Sequence, residues 1–368
     1  MLIAALIVLL LFLYIRWFLR RPKFGKLPDG QQRERILASP NYRNGKFQNL
    51  SHTPALTEGA TYLQVLREFF FGKKIDRTPE TPIPVVKTNL HELPPDQDWL
   101  VWFGHSSYFI QLNGRKILVD PVFSPFASPI PLTTRAFKGT TVYNTDDIPD
   151  IDFLFITHDH WDHLDYDTLM KLKARVGKVF CGLGTGAHLE CWGFDRERIF
   201  EGDWYDWFQP ENDFIVHLTP ARHFSGRGFT RDQTLWTSFV LKTPNFNIFL
   251  GGDSGYDRFF AEIGQKFGPF DLAILDNGQY GRNWKYIHML PEEVAKAATD
   301  LGARNLLPVH SSKFALSQHP WYEPLERVCR ACEAEGVNLL TPRIGEPLML
   351  TGKKEGLEKW WAPFTATH

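Results

Sequence analysis

Residues 152–166 read DFLFITHDHWDHLDY, and this stretch decides the fold. The apolar run 153–156 has the length and composition of a buried strand, and it ends in His158-Asp159-His160-Trp161-Asp162-His163, an HxHxDH pattern on a strand-to-helix turn. On extended backbone, residues two apart face the same way, so His158 and His160 can bind one metal ion. The turn that follows aims Asp162 and His163 at a second. With this composition the pattern arises by chance in roughly one of 1000 such chains, so a solvated loop with incidental histidines is a poor account of it.

Outward from this stretch, strand-like runs alternate with turns from residue 99 on: WLVWFGHSSYFIQL, RKILVDPVF, KVFCGL, FIVHLTPA, TSFVLKT, NIFLGGDSG, DLAILDN and RNLLPVH. Asn113-Gly114 between the first two signals a hairpin. Helices are expected over 166–174, 256–267, 291–301 and 324–335, the last stopped by Gly336. Several strands end in His or Asp. Strands alternating with helices make the chain α/β.

The 368 residues carry 41 Lys+Arg against 42 Asp+Glu, a balance without the basic excess of a dedicated nucleic-acid binder, so no nucleic acid is expected as partner. With 12 Trp and 30 Phe the chain has enough apolar surface for a large core and is not a disordered one. Cys181, Cys191, Cys329 and Cys332 are too few for a disulfide framework, and Cys329 and Cys332 read as neighbours on one helix face. Gly182-Leu183-Gly184-Thr185-Gly186 lacks the third spaced glycine of a dinucleotide site and reads as a turn.

The amino terminus is apolar from residue 2 to 15, followed by Arg16, Arg20, Arg21, Lys23 and Lys26. With Trp17, Phe18 and Leu19 it reaches roughly 18 residues, the short end of a bilayer span. It lacks the leading charge and small-residue cleavage site of a signal peptide. Residues 1–21 are therefore read as an uncleaved membrane anchor, and the basic cluster puts the following domain on the cytoplasmic side. Residues 22–95 read as a linker and wrapping segment, 96–350 as the main domain and 351–368 as a tail. Within the linker, YLQVLREFFF at 62–71 is an amphipathic helix with Leu63, Leu66 and Phe70 on one face beside Val65 and Phe69. It is expected to pack on the main domain, the other reading being a helix lying in the lipid interface with Lys73 and Lys74 at the headgroups.

The HxHxDH motif resembles that of the metallo-β-lactamase fold hydrolases. The resemblance extends to the N-acyl phosphatidylethanolamine phospholipase D branch over roughly residues 95–345, through WFGHSSYFIQLNGRKILVDPVFSPFASP, TPARHFSGR, LWTSFVL, FLGGDSGY, IGQKFGPFDLAIL, HMLPEEVAKA and VHSSKFAL. It implies an αββα sandwich of two mixed β-sheets with helices outside. By the same resemblance His158, His160 and His223 hold one zinc, Asp162, His163 and His310 the other, and Asp253 bridges them. His288 matches a family histidine near the substrate phosphate. His105 and Asp120 match positions under the metals that orient ligand imidazoles. Residues 277–281 and 311–313 depart from the mammalian pattern, leaving the headgroup open.

Five His and two Asp without Cys suit zinc, with manganese or iron as substitutes. The reaction so implied is cleavage of a phospholipid phosphodiester by a metal-bridging hydroxide, with Asp162, Asp253 and His288 as the catalytic side chains, releasing phosphatidate and an N-acylethanolamine. A membrane is an expected partner, and a homodimer is compatible with the sequence. Three other readings stay open: lactone or ester hydrolysis on the same fold, a serine nucleophile in Gly252-Asp253-Ser254-Gly255, and a noncatalytic scaffold.

Overall fold

The computed structural model describes residues 1–72, 75–352 and 358–364, and for Phe69 and Phe70 the backbone alone. The chain opens with helix α1 (Leu2–Leu19), then α2 (Gly30–Ala38), a short hairpin β1 (Tyr42–Arg43) and β2 (Lys46–Phe47), and α3 (Tyr62–Phe71). Strands β3 (Trp99–Trp102), β4 (Tyr108–Leu112), β5 (Arg115–Val119) and β6 (Ile151–Ile156) follow. Helix α4 (Tyr166–Leu172) leads to β7 (Val176–Gly182), and α5 (Gly186–Cys191) to β8 (Ile199–Gly202). The second half runs β9 (Trp207–Glu211), β10 (Phe214–Thr219), β11 (Ser238–Lys242), β12 (Asn247–Leu250), α6 (Phe259–Phe267) and β13 (Leu272–Asp276). It ends with α7 (Pro291–Asp300), β14 (Asn305–Val309), α8 (Glu323–Glu335), β15 (Asn338–Leu339) and β16 (Pro347–Met349).

Two seven-stranded sheets result, ordered β16-β3-β4-β5-β6-β7-β8 and β15-β14-β13-β12-β11-β10-β9. Each begins antiparallel and turns parallel, at β5–β6 in one and β12–β13 in the other. The parallel pairs need crossovers; helices supply those that follow β6, β7, β12, β13 and β14, while β5 and β6 are joined by a long loop with one short 3-10 turn at Thr145–Asp147. Asn113 and Gly114 both take positive φ, as a two-residue hairpin with Leu112 opposite Arg115 requires.

Strand β6 is apolar on both faces because both are covered. Phe153 and Phe155 point between the sheets, where they meet Phe214 and Phe239 of the other sheet edge-on at 5.2 and 5.1 Å. Leu154 and Ile156 point outward under α4 with Leu169 and Leu172. On the far side α6, α7 and α8 cover the second sheet through Phe260, Ile263, Val294, Ala298 and Val328. The architecture is the αββα sandwich expected from the resemblance.

The expected helices form within a few residues of their bounds, and Gly336 caps α8 in the left-handed conformation. Cys329 and Cys332 are buried on the packed face of α8. Two helices, α2 and α5, fall where turns or linker were expected. In α2 only Ile36 is buried, and it joins Tyr42, Phe47, Leu235 and Trp236 in a small cluster that seats the wrapping segment on the sandwich. Beyond the last strand, Trp360 and Trp361 are buried in the intersheet core.

Helix α1 has no buried residue and is long and apolar enough to cross a membrane. Of the described side chains on the apolar face of α3, Leu63 at 78% and Leu66 at 53% are exposed, contrary to the expected packing, and Val65 is half-buried. Its attachment is polar instead, through Glu68, which accepts from Arg282 at 2.6 Å and Asn283 at 2.7 Å. Lys73 and Lys74 lie outside the described residues.

Candidate metal centre

The site forms where strand ends of both sheets meet. The turn after β6 carries the HxHxDH side chains, and His223, Asp253 and His310 follow β10, β12 and β14. Backbone hydrogen bonds join the sheets there: His105 donates to Ser311 O at 2.8 Å and His310 to His105 O at 2.9 Å. His105, Asp120 and His310 all take positive φ, strain of the kind that surrounding structure must hold in place. Gly252 precedes Asp253 with φ +62°, and a Cβ there would lie 2.9 Å from the Thr157 Cβ, so a glycine lets the two strand ends close up.

The seven residues singled out from the sequence come together. His158 Nε2 lies 2.9 Å from His160 Nδ1, which lies 3.1 Å from His223 Nε2. Asp253 Oδ2 is 3.9 Å from His158 Nε2, 3.8 Å from His223 Nε2 and 3.1 Å from His163 Nε2. On the other side Asp162 Oδ2 is 3.5 Å from His163 Nε2, and His310 Nδ1 is 3.1 Å from Asp253 Oδ1. Asp253 thus stands between a three-histidine group and a group of Asp162, His163 and His310.

Both groups fit a metal ion. Tetrahedral zinc with Zn–N of 2.0–2.1 Å spaces its nitrogens about 3.3 Å apart, near the observed spacing of the three imidazoles. Buried Asp253 Oδ1 has no hydrogen bond among the described residues, a cost that a bound cation would offset. Four of the imidazoles are held in the neutral, ligand form: burial lowers the proton affinity of His158, His223 and His310, and that of His160 to about 4. Burial raises Asp253 to about 6 against the pull of His163. Burial disfavours charge on both Asp162 and His163. The His163 and His105 charges nevertheless hold Asp162 well below the carboxylate range, and Asp253, Asp162 and Asp120 hold His163 well above the usual imidazole.

Around the donors, several side chains are fixed by a neighbour, as metal ligands generally are. Asp120 Oδ2 lies 2.8 Å from His163 Nδ1 and is itself held by the Thr157 hydroxyl at 2.6 Å. His105 Nε2 lies 2.9 Å from Asp162 Oδ2, Ser106 Oγ 2.8 Å from His310 Nδ1, and Ile287 O 3.0 Å from His223 Nδ1. His105 and Asp120 each touch a donor side chain, Asp162 and His163 respectively.

His288 is buried at the edge of the cluster, its ring 5.0 Å from those of His223 and His310. Asp276 Oδ2 holds its Nδ1 at 2.8 Å. Burial opposes the imidazolium, yet the Asp276 charge raises His288 above the usual imidazole range. Sequence reasoning missed Asp276, although it ends the strand LAILD and the strand-end rule that singles out Asp253 applies to it equally.

A cavity of about 440 Å³ opens over the donors, with Leu56, Val65, Trp161, Phe224, Trp284 and Leu316 among its walls. The Ser254 hydroxyl accepts from Arg222 N and donates to Gly255 O, with no histidine in hydrogen-bond reach among the described residues, so the serine-nucleophile reading lacks its base. The glycine-rich turn is filled from within: Gly184 N and Gly186 N donate to Glu201 at 2.7 and 2.9 Å.

The sequence of residues 115–311 matches the family model described as a beta-lactamase superfamily domain. An uncharacterized protein of Mycobacterium tuberculosis is 38% identical over 327 residues, 88% of this chain and 87% of that one. The N-acyl-phosphatidylethanolamine-hydrolyzing phospholipase D 1 of Caenorhabditis elegans is 27% identical over 340 residues, 83% of this chain and 92% of that one. Among solved structures, Igni18, a metallo hydrolase from Ignicoccus hospitalis, superposes with a TM-score of 0.53 at 21% identity over 70% of this chain and all of that one, which speaks for the fold. Family match, fold and donor set agree: the chain belongs to the beta-lactamase superfamily, as a metal-dependent hydrolase of the metallo-β-lactamase fold.

Proposed function

We propose that this protein is a phosphodiesterase of the phospholipase D type, with N-acyl phosphatidylethanolamine as its reference substrate. The observation that carries the reading is the Asp276–His288 pair beside the donor cluster, under a cavity with apolar walls. Zinc or a similar dication, held by His158, His160 and His223 with Asp253 on one side and by Asp162, His163 and His310 with Asp253 on the other, would supply an acidified water and neutralise phosphodiester oxygens.

The chain's own residues supply the rest. Asp162, whose Oδ2 is held by His105, orients the attacking water. His288, with Nδ1 held by Asp276, carries a proton on Nε2 for the departing headgroup oxygen. The new bond joins water oxygen to phosphorus and the broken bond is phosphorus to headgroup oxygen, so the products are phosphatidate and the headgroup alcohol. The apolar walls suit acyl chains. Helix α1 acts as a membrane anchor holding the domain at the lipid surface, on the cytoplasmic side according to the basic residues that follow it. The C. elegans relative supports a phospholipid substrate.

The test uses the full chain loaded with zinc in nanodiscs, offered N-acyl phosphatidylethanolamine and a panel of lactones in ¹⁸O water. Label in phosphatidate, with chelator-sensitive turnover, is the expected result. Lactone opening with intact phosphodiesters would replace this reading by ester hydrolysis.

A further inference from the structure

A second cavity, of about 770 Å³, adjoins the first and shares Ala55, Tyr62, His223, Phe224, Arg231 and Ile287 with it. Its far wall is the segment 43–54, clipped to the donor cluster. Asn49 Nδ2 donates to His223 O at 2.8 Å while His223 N donates to Asn49 Oδ1 at 3.1 Å, and Arg222 holds Thr53 Oγ1 at 2.9 Å and His52 O at 2.7 Å. The wall is therefore a built surface in register with the metal centre.

The two cavities differ in character. The charged residues lining the second are Arg43, Lys46 and Arg231 against Asp232, an excess of cations. Lys46 reaches Asp232 at 3.8 Å. The Arg231 guanidinium stacks 4.0 Å over Phe224, whose ring lies 4.3 Å from that of His160, and it has no ion pair or side-chain hydrogen bond among the described residues. The guanidinium is exposed at the seam between the two cavities, beside the donors, where an arriving anion can reach it. Its planar fork suits a phosphate or carboxylate.

We infer that the second cavity is a headgroup pocket for an anionic headgroup, such as a phosphorylated polyol, with Arg231 as its specificity-determining cation. This rests on the phosphodiester reading for the scissile bond. The lipid lies in the apolar cavity, the diester at the donors, and the charged headgroup reaches past Phe224 toward Arg231, Lys46 and Arg43.

Glycerophosphoinositol and glycerophosphoinositol 4-phosphate share diester and polyol and differ by one phosphate. On the zinc-loaded full chain, the phosphorylated ligand should show a dissociation constant and KM lower by on the order of tenfold, about the worth of one good charge contact. Arg231→Gln should bring the ratio near one, while Arg231→Lys keeps part of it. The reading is a ratio, so a general loss in a variant cancels. A ratio near one in the unmodified chain, or one unmoved by Arg231→Gln, overturns the inference. If neither diester is cleaved while N-acyl phosphatidylethanolamine is, the phosphodiesterase reading stands and calorimetric binding of the pair alone decides the pocket; if none of the three is cleaved, the phosphodiesterase reading fails and the same binding ratio still decides it.

Discussion

The Arg227 guanidinium lies 3.9 Å over the ring of Trp161, the residue between the second histidine and the aspartate of the HxHxDH motif. From there Arg227 donates to Asp159 O at 2.8 Å, Leu164 O at 2.7 Å and Lys23 O at 2.8 Å, joining both ends of the metal-loop turn to the chain leaving α1. Phe24 packs edge-on against Trp161 at 5.0 Å, and Trp192 Nε1 donates to Pro22 O at 2.8 Å. The chain just after α1 and the candidate metal loop are therefore one packed unit. Arg227→Met should cost about 2–5 kcal/mol, because buried carbonyls lose their donors. Denaturant unfolding measures that loss, and metal titration should show weaker zinc binding. Unchanged zinc affinity would confine Arg227 to a general structural role.

Asp120→Asn tests the support beneath the donors. The amide keeps the shape of the carboxylate but loses the charge that orients and polarises the His163 ring. Metal affinity or turnover should fall about 10- to 100-fold. Metal analysis beside thermal unfolding separates this from misfolding.

The role of His288 is tested by leaving-group dependence. Asp276→Asn should slow an alkyl phosphodiester by about 10²-fold and bis(4-nitrophenyl) phosphate far less, since nitrophenolate departs without a proton. Equal losses on both would remove His288 as the acid.

Buried Lys313 offers a pH test. Its ammonium donates to Val122 O at 2.9 Å and Phe103 O at 3.3 Å, and burial lowers it to about 8. The unfolded chain then binds more protons than the folded one between about pH 8 and the ordinary lysine range, so this group makes stability rise with pH across that window. Below it the charged form costs a constant amount. Lys313→Gln, which keeps a donor, should be more stable than the parent by about 1–3 kcal/mol at pH 7, the gap closing toward pH 10.5. A gap independent of pH would assign the effect to packing.

Removing residues 1–21 should release the chain from membranes, since no residue of α1 is buried in the domain, while residues 22–26 stay to complete the Arg227 contacts. Fractionation of the truncated and full chains checks this; membrane retention of the truncated chain would shift the attachment to the exposed face of α3.

The sequence alone determined the strands and the donor candidates, because each is a local pattern of an apolar strand, a tight turn, and His or Asp at its end; the sandwich came from the family resemblance that those motifs carry. The same locality made Asn113-Gly114 readable as a hairpin and Gly336 as a helix stop. Only the tertiary structure decided the partners. Asp276 belongs with His288, Asp120 with His163, Asn49 with His223, and Arg227 with Lys23, 204 residues away. Such pairs leave no periodic trace in the chain, since they exist only once two sheets stack and the wrapping segment closes over them. Helix α3 shows the converse: its spacing marks an apolar face, but what a face packs against is settled by neighbours distant in sequence, and here Leu63 and Leu66 stay exposed while Glu68 makes the attachment.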